Sequence, residues 1–281
     1  MRLGQIQWNN AVTAAIFEGE FARPIPDYTL YELICRSEKE GVMLSTSAMR
    51  LAVGPRVASP VPIIPLQPKE VWACGCTYQT SADFRDAEHG TREGFYAHVY
   101  SGPRPEVFFK GTARTCTGPG GKIGLRPDSK FTAPEPELAV ILGAKGKVLG
   151  YTLANDVSAW DIERENPLYL PQSKMYACAC ALGPVMVTAD ELKDPYNLHM
   201  TCSIQREGQT IFSGETSTSK LNRKIETLIE YLMRSNPVPA GSVLLTGTGI
   251  IVTEESALAP GDVVTIRVPE IGELSNTATL V

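Results

Sequence analysis

The chain lacks the features that would place it in several large classes. It has no run or stripe of Lys and Arg, and its formal net charge is -5 with a pI near 5.4, so nucleic acid is not an expected partner. Its apolar runs, such as Leu138 to Leu142, fall far short of the roughly 20 residues that span a bilayer. The short apolar stretch Ala11 to Phe17 has no small-residue cleavage site after it and reads as a strand, not a signal peptide. Histidine is scarce (His89, His98 and His199), and C-x2-C spacing is absent. The C-x-C pairs Cys74/Cys76 and Cys178/Cys180 therefore read as small buried strand residues ahead of a zinc site. The Gly-rich segment Thr117 to Gly124 fails the G-x4-G-K-[ST] pattern because Ile123 follows Lys122. Seven cysteines, an odd number in a chain of 281 residues, favour a reducing compartment and a cytoplasmic protein.

What is present is an ordinary globular composition, 43% hydrophobic and 20% charged, with 24 Gly and 21 Pro that imply many turns and a β-rich fold. Residues 1–68 form an expected small N-terminal domain. In it Ile6 to Phe17 reads as a strand or hairpin, and Asp27 to Gly41 as a helix. The prolines at 60, 62, 65 and 68 mark the boundary with a main domain, 69–281. There, Glu70 to Cys76 and Glu106 to Lys110 read as strands, with Thr77 to Gly94 as a loop or short helix over a site. Leu198 to Arg206 and Gln209 to Phe212 form a hairpin about Glu207-Gly208. Lys220 to Met233 is the clearest helix, and Val263 to Val268 a late strand.

Carboxylates carry the chemistry. Glu135 and Glu137 lie two apart on a strand, on one face and roughly 6.6 Å apart. With a loop at 143–146 and Leu142 opposite Lys147, Glu137 faces Thr152 and Glu135 faces Ala154. Asp156 then shares their face, diagonal to Glu135, and a one-residue change of loop length would move it to the other face. Three like charges on one face repel unless compensated. A hard divalent cation, Mg2+ or else Mn2+ or Ca2+, is one compensation. The other reading is a solvated acidic edge, with Pro136 marking an edge or bulge.

The motifs around these residues resemble the fumarylacetoacetate hydrolase family. They are Glu106-Val107-Phe108-Phe109-Lys110, Pro134 to Val140, Gly150 to Ser158, Leu182-Gly183-Pro184, Thr246-Gly247-Thr248 and Pro260 to Val264, in that order. The resemblance implies an α+β, β-rich fold, with a mixed β-roll catalytic domain following a small N-terminal α+β domain. It also implies Mg2+ or Mn2+ on Glu135, Glu137 and Asp156, a 2-oxo acid substrate, and a homodimer or higher homo-oligomer. Glu163 to Tyr176, with Thr77-Tyr78, Ser81, Arg85 and Thr246 to Ile250, is similar to the family's 2-keto-3-deoxy-pentonate dehydratase branch. Lys174 matches that branch's active-site lysine. The hydrolytic and decarboxylating members carry a lid His where this chain has Ser81, and a C–C hydrolase needs a base for water. His89 lies eight positions on. A further departure is Trp160, which stands where the family's Ser-Ala-Arg-Asp has Arg.

The implied reaction is metal-dependent dehydration of 2-dehydro-3-deoxy-D-arabinonate or -xylonate to 2,5-dioxopentanoate. The rivals are a hydrolase or decarboxylase of acylpyruvate-type acids, and a catalytically silent metal-binding homodimer, which Trp160 alone favours. Lys174 is expected to act as base, proton donor or carboxylate clamp, with its pKa lowered by burial near a dication. Lys110, Thr248 and the Gly247 and Gly249 backbone are expected to hold the substrate carboxylate. Ser81, Arg85 and Glu163 are candidates on the substrate side, with a solvated charge face the other reading of Arg85 and Glu88.

Overall fold

The alternating segments form strands, and their turns follow from the turn residues. In the computed structural model, which describes residues 1–88 and 94–281, Arg2–Trp8 and Ala11–Glu18 form an antiparallel hairpin. Asn9 and Asn10 close it with φ of 49° and 63°. Two left-handed residues in succession match the twist of the flanking strands, and Asn tolerates that region better than most residues. Glu207 and Gly208 do the same between His199–Arg206 and Gln209–Ser217. The expected N-terminal helix spans Leu30–Glu40. A reciprocal Thr29/Glu32 capping box starts it, and left-handed Gly41 ends it.

The larger sheet is mixed. Its spatial order is Val57–Ala58, Phe21–Ile25, Ala11–Glu18, Arg2–Trp8, Cys180–Thr188, Val148–Asp156, Pro136–Leu142, Ser242–Leu245, Val71–Gly75 and Glu106–Gly111, with Cys116–Thr117 beside Cys180–Thr188. The smaller sheet runs Gln209–Ser217, His199–Arg206, Val263–Val268, Gly272–Leu280 and Lys122–Leu125. Leu138, Val140, Leu142 and Leu153 pack with Met200, Ile204, Val264, Ile266 and Leu274 between the sheets. On the opposite face Ala139, Ile141, Ala154 and Leu182 pack with Leu30, Leu33, Ile34 and Ala48 of residues 1–68. Arg2–Trp8 pairs directly with Cys180–Thr188, so backbone hydrogen bonding crosses the expected boundary at 68.

Three local expectations are corrected. Pro136–Leu142 is buried throughout and lies inside the sheet, not at an edge. Pro136 is tolerated because it is the first residue of the strand. A strand covered on both faces loses alternation, as its Leu-Ala-Val-Ile-Leu run does. The helix expected from Lys220 begins at Ile225. Before it, the Asn222 N–H donates to the Thr77 carbonyl, and Arg223 donates to the carbonyls of Val99, Tyr100 and Gly102. These tertiary bonds hold the segment out of helix. Of the cysteines expected in strands, Cys76 and Cys178 lie just outside Val71–Gly75 and Cys180–Thr188, and the latter holds the centre of the larger sheet through Gly183 and Pro184. The ladder shifts register there, where Pro has no N–H to donate.

Leu153 is fully buried between the sheets. Leu153→Ala should lower unfolding free energy by about 2–5 kcal/mol in urea denaturation. A loss under about 1 kcal/mol would contradict the packing described.

Candidate active site

The hairpin Pro136–Leu142/Val148–Asp156 assembles the acidic site with a register two residues from the expected one. Glu137 pairs with Ala154, not Thr152. The Asp156 N–H donates to the Glu135 carbonyl at 2.9 Å, so these two residues are directly opposed, not diagonal. Two irregularities produce the shift. The loop holds five residues, 143–147, instead of four, and a bulge leaves Leu149 unpaired between Ile141↔Gly150 and Leu142↔Val148. Either alone would move Asp156 to the other face, and together they restore it.

Carboxylate oxygens of Glu135, Glu137 and Asp156 lie within 4.8 Å of one another, and all three residues are buried. Each is held from a different element. Trp160 Nε1 donates to Glu135 Oε1 at 3.1 Å and Lys174 Nζ to Glu135 Oε2 at 2.8 Å, while Asn155 Oδ1 accepts the Glu135 N–H at 3.1 Å. The Gly247 N–H donates to Glu137 Oε2 at 2.5 Å. Lys110 Nζ donates to the Val157 carbonyl at 2.9 Å and lies 2.6 Å from Asp156 Oδ1, an ion pair by distance that misses hydrogen-bond geometry. Gly247 has φ +94°, and a Cβ there would sit 2.0 Å from Thr77 Oγ1, so the backbone that reaches Glu137 needs glycine.

Lys174 ends the short helix Leu170–Lys174 and is fully buried. Besides Glu135, its Nζ meets Ser158 Oγ at 2.6 Å, Asp156 Oδ2 at 3.6 Å and Glu163 Oε2 at 3.8 Å. Burial pulls its pKa down, but Asp156, Glu135 and Glu163 more than reverse this and hold Nζ protonated above the ordinary lysine range. The expected lowering is therefore corrected for the cage of carboxylates by itself. Burial raises Glu137 well above the usual carboxylate range, with Asp156 and Glu135 adding to it and the Gly247 N–H opposing. Burial also raises Glu135, against the pull of Lys174.

The substrate-side candidates divide. Arg85 is not on a solvated face. It is buried on the helix Gln79–Glu88 and pairs with Glu163 Oε1 and Glu106 Oε2, both at 2.8 Å. Ser81 and Thr248 line a cavity of about 10 Å³ with Glu135, Pro134, Trp160 and Ile250. That is room for about one water, so a five-carbon acid requires this wall to move. Thr248 Oγ1 accepts the Ile250 N–H at 3.2 Å, the Gly247 N–H is taken by Glu137, and Lys110 is turned onto Asp156. Gly249 lies against the Tyr78 ring and Thr216 Oγ1. His89 lies outside the described residues, and among those described no histidine lines the cavity. A separate groove of about 570 Å³ is lined by Met1, Phe17, Met49 and Glu191 and holds none of these groups.

Ser158, Glu106 and the donor role of Trp160 escaped the sequence reading. Ser158 was findable, being two residues from Asp156. Trp160 is both packed and hydrogen-bonded, which removes the feature that favoured a silent protein. Of the C-x-C cysteines, Cys74, Cys76 and Cys180 are buried thiols and Cys178 is half-buried. Burial raises Cys74, and it raises Cys76 to about 12, which disfavours the thiolate a metal needs.

The donor set fits a divalent cation. Among the described residues five carboxylates (Glu135, Glu137, Asp156, Glu163 and Glu106) meet three cations (Lys110, Lys174 and Arg85), a formal excess of two negative charges. All the triad's donors are hard oxygens, the choice of Mg2+ or Mn2+ over zinc.

Comparison with known proteins gives concordant results. The family model "Fumarylacetoacetate (FAA) hydrolase C-terminal" matches residues 76–279. The chain is 49% identical over 213 residues to the 2-dehydro-3-deoxy-D-arabinonate dehydratase of Saccharolobus solfataricus, covering 75% of this chain and 72% of that protein. It is 44% identical over 218 residues to a probable 2-keto-3-deoxyxylonate dehydratase of Haloferax volcanii, covering 78% and 75%. A solved structure of 2-keto-3-deoxy-D-arabinonate dehydratase complexed with magnesium and 2,5-dioxopentanoate superposes with a TM-score of 0.86 at 37% identity, over 100% of this chain and 99% of that one.

Saturating Mg2+ should stabilise the fold. At a hundred times Kd the gain is about 2.7 kcal/mol, several degrees of Tm for a chain this long. Glu137→Ala should abolish the shift in a thermal melt. An equal shift in that variant would place the cation elsewhere.

Proposed function

The chain belongs to the fumarylacetoacetate hydrolase family, and on that premise we propose that it dehydrates a 2-keto-3-deoxy pentonate, the D-arabinonate or D-xylonate, to 2,5-dioxopentanoate. The observation that carries this reading is Lys174. Its fully buried Nζ lies 2.8 Å from one carboxylate of the acidic triad, in a chain 49% identical over 213 residues to an arabinonate dehydratase.

In this reading Glu135, Glu137 and Asp156 hold Mg2+. When bound there, the cation would supply Lewis acidity toward a 2-oxo acid and so make its C3 hydrogens acidic. The residues of the chain do the rest. Lys110 and the Gly247 N–H keep Asp156 and Glu137 oriented toward the third carboxylate. Lys174 Nζ delivers a proton to the departing C4 hydroxyl, so the bond that breaks releases water and not hydroxide. Solvent water takes the C3 proton and returns one to the neutral Lys174; loss of that proton and the C4 hydroxyl leaves a C3–C4 double bond, and tautomerisation gives 2,5-dioxopentanoate. Arg85, locked to Glu163 and Glu106, positions the wall that carries Ser81. A homo-oligomeric assembly and a cytoplasmic setting belong to the same reading.

Ser81 supports dehydration over hydrolysis. Its hydroxyl has no pKa near neutrality and cannot serve as the base that activates water. Purified protein with Mg2+ should convert 2-keto-3-deoxy-D-arabinonate or -xylonate to 2,5-dioxopentanoate, followed by mass spectrometry. Lys174→Met should lower kcat/KM by about a hundredfold to ten-thousandfold. Turnover of an acylpyruvate with neither sugar acid consumed would replace dehydration by hydrolysis.

A further inference from the structure

We propose that Trp160 is a positioning residue for the cation site, fixing the carboxylate of Glu135 and tying it to the helix that walls the site. This rests on the reading of Glu135, Glu137 and Asp156 as metal ligands.

The indole is held on three sides. Its backbone N–H donates to the Phe131 carbonyl at 2.8 Å, and its ring stacks on Phe131 at 6.3 Å and 27°. Phe84 meets it edge-on at 4.9 Å and 70°, and the Arg85 guanidinium lies 5.9 Å over it. Phe84 and Arg85 both belong to the helix Gln79–Glu88. A ring so packed cannot swing, so its Nε1–H stays on Glu135 Oε1 at 3.1 Å. Lys174 takes the other oxygen, and the carboxylate plane is set by two donors from different elements. Donors of this kind orient a metal ligand without touching the metal.

Packing alone does not account for the residue. Phenylalanine would fill much the same space, and a buried indole N–H is satisfied by any carbonyl. Here it is aimed at a carboxylate of the triad.

The test is calorimetric titration of MgCl2 into the wild-type protein and Trp160→Phe, with a thermal melt of each without metal. Phe keeps the ring contacts and removes the donor. The expected result is a metal-free Tm close to wild type and a Mg2+ Kd about tenfold weaker or more. An unchanged Kd overturns the proposal and leaves the metal site standing, whereas a wild-type protein that binds no Mg2+ overturns both. Should Trp160→Phe not fold, the double variant Trp8→Phe/Trp72→Phe leaves Trp160 as the only tryptophan. Its emission must then change with Mg2+, and a flat titration also overturns the proposal.

Discussion

One backbone hydrogen bond, from Asp156 N–H to the Glu135 carbonyl, sets the register on which the site depends. It places Asp156 directly across the hairpin from Glu135, with Glu137 on the same face. Side chains alternate along a strand, so a slip of one residue would send Asp156 to the opposite face. The bulge at Leu149 and the five-residue loop are local irregularities 30 Å or less of chain away from the chemistry, by roughly 3.3 Å per residue, yet they decide its geometry.

The site lies where the sheet's apolar interior ends. Ala139 and Ile141 continue the face of Glu137 into the core, so Glu137 stands on a doubly covered strand, with Glu135 just before it and Asp156 at the end of its neighbour. Low-dielectric surroundings make unpaired charge costly, and the fold answers with Lys110, Lys174 and Arg85, each buried. Among the described residues the carboxylates named here still outnumber these cations, and the triad's hard oxygens suit a dication. Burial works against the Lys174 ammonium, and the carboxylates of Asp156, Glu135 and Glu163 outweigh it, so the proton stays between Glu135 and Ser158.

Much of this was readable from residue order. Glu135, Glu137 and Asp156 could be placed on one face from spacing, because period two survives an even shift of register. The hairpins at Asn9-Asn10 and Glu207-Gly208 and the cap at Gly41 follow from turn chemistry. What could not be read depends on distant partners. Arg223 and Asn222 hold the segment before Ile225 out of helix through Val99, Tyr100, Gly102 and Thr77. Arg85 reads as a surface charge until Glu106 and Glu163 surround it. Trp160 reads as a lost arginine until its indole is found on Glu135.

The most direct test of the three-carboxylate cation site is anomalous diffraction from crystals grown with Mn2+. The expected result is a single strong peak at bonding distance from Glu135, Glu137 and Asp156 together. A peak elsewhere, or none beside these three residues at saturating Mn2+, would contradict it.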